Sequence, residues 1–228
     1  MRPLLRARCP CPRENAHHRH AHRDAEGDLR QDHGAFPIGD RRFETETVWK
    51  ENIALATTAN EPGKFTAFCS YEWTSMPNNM NLHRNIFFKD CAHIPSQPFS
   101  ALDSFHPVDL WNWMDGQRNA GNALLAISHN ANLSDGRMYP TEVDTKGRPI
   151  DAAYATSRVR NEPLIEIKQL KGTSETHPLL SPNDEFANFE IMSVLLGNPP
   201  GRIPHIVGSY ARQALKDGIA LQDSKGFN

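Results

Sequence analysis

A change of composition around Arg42 limits how much of this chain can enter a folded core. Arginine recurs from Arg2 to Arg42, whereas no lysine occurs before Lys50. The apolar residues of that stretch, such as Leu4, Leu5 and Phe36, follow neither a two-residue nor a 3.6-residue period. A segment with no apolar face has nothing to bury, so residues 1–42 are expected to be a disordered or non-homologous arm rich in Arg and His. Residues 43–228 are left to build the fold. The run His17, His18, His20 and His22 reads as part of a solvated arm, because ligation needs a rigid backbone with partners orienting each ring.

A formal net charge of −2 over 228 residues gives no overall electrostatic reason to bind nucleic acid or a membrane surface. No window approaches the roughly 18 apolar residues of a membrane span, and Met1–Pro12 has no apolar run of the signal-peptide kind. The expected location is therefore cytoplasmic by default. Four cysteines, Cys9, Cys11, Cys69 and Cys91, are too few and too unevenly placed for a disulfide framework. Cys9 and Cys11 read as free thiols.

Beyond Phe43 the pattern alternates. Thr47–Thr58 has loosely helical apolar spacing and ends at Asn60-Glu61-Pro62-Gly63. Lys64–Trp73 and Arg84–Lys89 are rich in aromatic and β-branched residues and read as two strands joined by a short loop. Val108–Asn119 reads as a helix behind Pro107. Ala123–Ile127 is almost wholly apolar, as in a parallel strand buried on both faces, and Leu164–Ile167 resembles it with a polar interruption at Glu166. Asn132–Ile150 should be a long loop, and Asp184–Leu196 and Ser209–Ile219 should be helices. Alternating strands and helices point to an α/β architecture.

Acidic and imidazole side chains fall at strand ends: Glu72 closes the aromatic strand, His83 opens its return, and His129 follows the apolar strand. Strands about 4.8 Å apart can bring such groups together. One carboxylate and two imidazoles suit Zn, Mn or Fe, and a bound ion would acidify water toward hydrolysis. The same residues also read as a capping acceptor, a buried hydrogen-bonding imidazole and a loop residue. The loop Lys168–Pro178 offers Lys171 and His177 as donors to an anionic oxygen, or serves simply as a solvated connection.

The phrases PGKFTAFCSYEWTS (62–75), NLHRN (81–85), AISHNANLSDGRMY (126–139), EPLIEIKQLKGTSETHPLLSPNDEFANFE (162–190) and SYARQALKDG (209–218) resemble the domain-of-unknown-function family 3604. That family is similar to the polymerase and histidinol phosphatase (PHP) superfamily of metal-dependent phosphoesterases. The resemblance covers Trp49 to the C-terminus. It implies a distorted (β/α) barrel, with Glu72 as a bridging carboxylate and His83 and His129 as imidazole ligands. Arg84 and Asn130, beside two of these, become candidates for substrate contact.

The superfamily's opening His-x-His pair, its following Asp-His step and its closing Asp-x-His pair have no counterpart here in proper context. The resemblance therefore implies an incomplete barrel, truncated at both ends, holding divalent metal incompletely. The expected function is a fragment of a metal-dependent hydrolase acting on a small-molecule phosphoester or similar ester, with little activity alone. A non-catalytic binding or assembly module is the alternative. Unpaired sheet edges would favour self-association.

Overall fold

The computed structural model describes residues 38–192 and 205–228. The chain divides into Met1–Arg41 and Arg42–Asn228, and the description below concerns the second unit. Cys9, Cys11, the His17–His22 run and the expected break at 197–201 lie outside the described residues.

The fold is a mixed α/β arrangement on a small sheet. Helix α1 (Ile38–Ala59) leads to β1 (Ser70–Trp73) and β2 (Arg84–Phe88), then α2 (Pro107–Asn119), β3 (Leu124–Ser128), α3 (Ala152–Asn161) and β4 (Leu164–Ile165). The short strands β5 (Lys168–Gln169) and β6 (Gly172–Thr173) form a separate hairpin, and α4 (Ala211–Lys225) closes the sequence of elements. Strand order in the main sheet is β1-β2-β3-β4. The first two pairings are antiparallel and only β3–β4 is parallel.

This overturns the expectation of an incomplete (β/α) barrel. A barrel needs a run of parallel strands that closes on itself. Here β1 returns directly as antiparallel β2, and among the described residues the four-stranded sheet is open, with β1 and β4 at its edges. The expectation that Ala123–Ile127 is buried on both faces is also corrected. Leu124, Ala126 and Ser128 are buried, whereas Leu125 and Ile127 are only half-buried, so one face alone is packed. Helix α1 begins at Ile38, inside the segment assigned to the arm, and Asp184–Met192 forms turns in place of the expected helix. Helix α3 went unanticipated, although Asp151 caps it by accepting a 2.8 Å hydrogen bond from the Tyr154 backbone N–H.

The packed face is built from alternate strand residues. Trp73, Ile86, Phe88, Leu124 and Ala126 meet Leu110, Trp111 and Met114, which share one side of α2, and Trp49 of α1. Burying each large apolar side chain stabilises the fold by about 1.5–3 kcal/mol. Pro107 starts α2 at a position whose N–H would have no helical partner.

Charged groups beside this core are paired. Glu162, at the end of α3, accepts hydrogen bonds at 2.8 Å from Arg84 Nε and 2.8 Å from Trp111 Nε1, while Arg158 Nη2 lies 3.2 Å from its second oxygen. Arg158 also donates to the Met138 carbonyl at 2.9 Å, and its guanidinium lies over the Tyr139 ring at 5.0 Å. Burial would raise the Glu162 carboxyl, but the Arg84 and Arg158 charges outweigh it and hold the group below the usual carboxylate range. One carboxylate thus links β2, α2 and α3.

Cys69 and Cys91 form a disulfide, a pairing the sequence reading did not anticipate. The bond joins the residue before β1 to the segment after β2, and Cys69 is fully buried. The expectation missed it because a single bridge leaves no spacing pattern. The antiparallel β1–β2 register is what brings the two ends together.

Two outcomes follow from this packing. Glu162→Ala should lower stability by about 3–5 kcal/mol, because it leaves the buried Arg84 guanidinium without its carboxylate and also removes the partner of the half-buried Arg158. Since the Glu162 pKa is depressed on folding, its contribution is present above the unfolded value of about 4.3 and disappears as pH falls through the lower folded value. Urea melts should therefore show an acid-side loss of stability below about pH 4.3 that is diminished in the variant. An unchanged profile would contradict the assignment. Reducing Cys69–Cys91, with a sequence separation of 22, should cost about 3 kcal/mol, measured by denaturant unfolding with and without a thiol reductant.

Candidate functional site

The face of the sheet opposite the core carries a row of four ionisable side chains, one from each strand or its immediate extension. Glu72 lies opposite Asn85, so His83, two residues earlier, is its diagonal neighbour on the same face. The His129 N–H donates to the His83 carbonyl at 3.0 Å, continuing the Arg84–Ser128 pairing and setting the two imidazoles side by side. The Glu166 N–H donates to the Ser128 carbonyl at 3.3 Å, continuing the parallel pairing, so Glu166 stands next to His129. The order across the sheet is Glu72, His83, His129, Glu166.

Within the row the contacts form two pairs. His83 Nδ1 is 2.7 Å from Glu72 Oε1, but the carboxylate lies off the hydrogen-bonding direction of the ring nitrogen. His83 Nε2 is buried and has no hydrogen-bond partner among the described residues. His129 Nδ1 makes a directed 2.6 Å hydrogen bond with Glu166 Oε2. The two imidazoles stack with centroids 6.2 Å apart.

The electrostatics keep His83 neutral. Burial lowers its pKa to about 4, Glu72 opposes that shift, and the charges of His129 and Lys171 add to it. A neutral imidazole with an unpaired nitrogen is the form that binds a metal ion. Burial would raise the Glu166 carboxyl, but hydrogen bonds from His129, the Asn130 N–H and Gln169 more than offset it and leave the group lowered.

Loop contacts fix the surroundings. Asn130 adopts a left-handed conformation with φ 56°, which Asn tolerates better than most residues. Its side-chain oxygen accepts from Gln169 Nε2, while its Nδ2 is buried without a partner among the described residues. Asn132 Nδ2 donates to the Lys171 carbonyl at 3.0 Å and its N–H donates to Ser174 Oγ at 3.2 Å, tying the loop after β3 to the β5–β6 hairpin. Further along, Gly136 and Gly208 meet so closely that a Cβ on Gly208 would lie 2.3 Å from the Gly136 carbonyl oxygen.

Glu72, His83, His129 and Asn130 are therefore brought together, with Lys171 close enough to act on His83. Arg84 is not. It projects to the opposite, packed face, is 1% exposed and is engaged by Glu162, so its expected role in substrate contact is replaced by a structural one. His177 packs its ring against Tyr210 with centroids 5.6 Å apart and accepts from the Leu179 N–H, contacts that lie outside the row. Glu166 and Gln169 were missed as site residues. The polar interruption of an otherwise apolar strand was the available signal.

The family described as "Protein of unknown function (DUF3604)" matches residues 13–228. The chain belongs to the DUF3604 family. The matched span opens at residue 13, within the segment whose composition reads as an arm, and includes the whole four-stranded sheet. Neither the curated proteins nor the solved structures give a match to this DUF3604 chain. Among the described residues no helix is long and apolar enough to cross a membrane.

The donor chemistry of this DUF3604 site fits a divalent transition metal, since a buried, unpartnered imidazole nitrogen stands beside a second imidazole and two carboxylates. Its grouping is by pairs: among the described residues no three His, Cys, Asp or Glu side chains are gathered to hold one ion. Side-chain rotation would have to convert the pairs into a shared site.

Proposed function

We propose that this DUF3604 protein is a metal-dependent hydrolase of the PHP-like kind, acting on a phosphoester or similar ester of a small molecule. The observation that carries the reading is the row Glu72, His83, His129 and Glu166 on one face of adjacent strands, with His83 Nε2 unpartnered. Glu72, His83 and His129 would hold a Zn, Mn or Fe ion. Such an ion supplies Lewis acidity toward an ester oxygen and lowers the pKa of water. The chain's own residues do the remainder. His83 stays neutral because it is buried, Asn130 Nδ2 is free to donate to a substrate oxygen, and Lys171 places a positive charge near the row. Metal binding is weak and turnover slow, because three ligands from two separate pairs must be reorganised.

The pairwise grouping also favours a second reading, a binding or assembly module with no turnover. Among the described residues β1 and β4 are unpaired edges, which would favour self-association in either case.

The test combines metal titration calorimetry with hydrolysis of phosphomonoester, phosphodiester and carboxylester probes. Zn or Mn should bind, His83→Ala and His129→Ala should each weaken that binding at least about tenfold, and slow hydrolysis should stop on chelation. Metal binding indifferent to both substitutions would overturn the hydrolase reading. Metal binding without turnover of any probe would favour the binding module.

A further inference from the structure

We infer that Glu166 is a positioning residue that fixes the tautomer and direction of His129, an inference that rests on the metal-site reading for its functional consequence but not for its geometry. The two imidazoles of the row differ in how they are held. His83 approaches its carboxylate at 2.7 Å without a directed hydrogen bond, whereas His129 Nδ1 is bonded to Glu166 Oε2 at 2.6 Å. A carboxylate only accepts hydrogen bonds, so this contact requires a proton on His129 Nδ1, and in the neutral ring the lone pair is then on Nε2.

Glu166 is itself held in place. Its second oxygen, Oε1, accepts from the Asn130 N–H at 3.2 Å and from Gln169 Nε2 at 3.1 Å. Gln169 also donates to the Asn130 side-chain oxygen, so β4, β5 and the turn after β3 converge on one carboxylate. A position that only served solubility would not gather three donors, two from the turn after β3 and one from β5. A carboxylate behind an imidazole is the arrangement that orients a histidine ligand and raises its basicity. In the neutral ring Glu166 thus sets the His129 lone pair on Nε2, where the Gln169 side-chain nitrogen lies 3.5 Å away, and Gln169 keeps Glu166 from rotating away.

Two readouts test this. In metal-free wild-type protein at mildly alkaline pH, long-range nitrogen–proton NMR should show His129 as the Nδ1–H tautomer, and Glu166→Ala should shift it to the Nε2–H form that a free imidazole favours. Zn affinity should fall about 10–100-fold in Glu166→Ala and recover in part in Glu166→Asp, with the melting temperature of the Asp variant close to wild type. A wild-type Nε2–H tautomer overturns the inference without requiring any variant to fold. Zn binding that needs His129 but ignores Glu166→Ala also overturns it, while leaving the metal reading intact. A tautomer that depends on Glu166 in a protein that takes up no Zn upholds the positioning role and removes the metal reading.

Discussion

Adjacent residues at the start of β2, His83 and Arg84, point to opposite faces of the sheet, and this alternation sorts the rest of the molecule. Arg84 turns to the packed face, where Glu162 holds it at 2.8 Å beneath α2 and α3. His83 turns to the other face, beside Glu72 and His129. A register slip by one residue would exchange them, burying an unpaired imidazole in the core and removing the guanidinium from its carboxylate. The stability of one face therefore fixes the geometry of the other. The buried Arg84–Glu162–Arg158 group is poor as a net source of stability, since desolvation offsets much of its attraction, but its loss of one partner is costly. Its effect is to make one register far better than its neighbours.

The row then depends on pairing outward from β2. The β1–β2 register supplies Glu72, the β2–β3 register supplies His129, and the short parallel β3–β4 contact supplies Glu166. The last has only two residues in its strand, so side chains reinforce it through His129–Glu166 and Glu166–Gln169. The contacts that support the site and those that hold β4 in place are the same contacts.

Much of this was legible in the sequence at the level of single elements. Of the expected strands Lys64–Trp73, Arg84–Lys89 and Ala123–Ile127, the first forms only at Ser70–Trp73 and the others at Arg84–Phe88 and Leu124–Ser128, and Glu72, His83 and His129 lie on one face. Pairings between distant residues were not legible. Arg84 and Glu162 are 78 residues apart, and Glu166 becomes a neighbour of His129 only once the parallel register is known. Arg84 looked like a substrate contact because it follows His83 in sequence, yet strand alternation makes adjacent residues the ones that cannot share a face. The barrel expectation came from the family resemblance, whose phrases carry no strand direction, and the β1–β2 and β2–β3 pairs are antiparallel. Helix α3 has few large apolar residues, so its capping residue Asp151 was a better sign than its periodicity.

Membership of the DUF3604 family fixes what this chain is related to, and the row across the sheet directs attention to what its residues can do. The most direct test is anomalous diffraction from crystals of the full chain equilibrated with Zn. The account predicts an ion about 2.0–2.1 Å from a ring nitrogen of both His83 and His129. Saturating Zn that leaves both imidazoles without an ion, or that binds only elsewhere on the molecule, would contradict it.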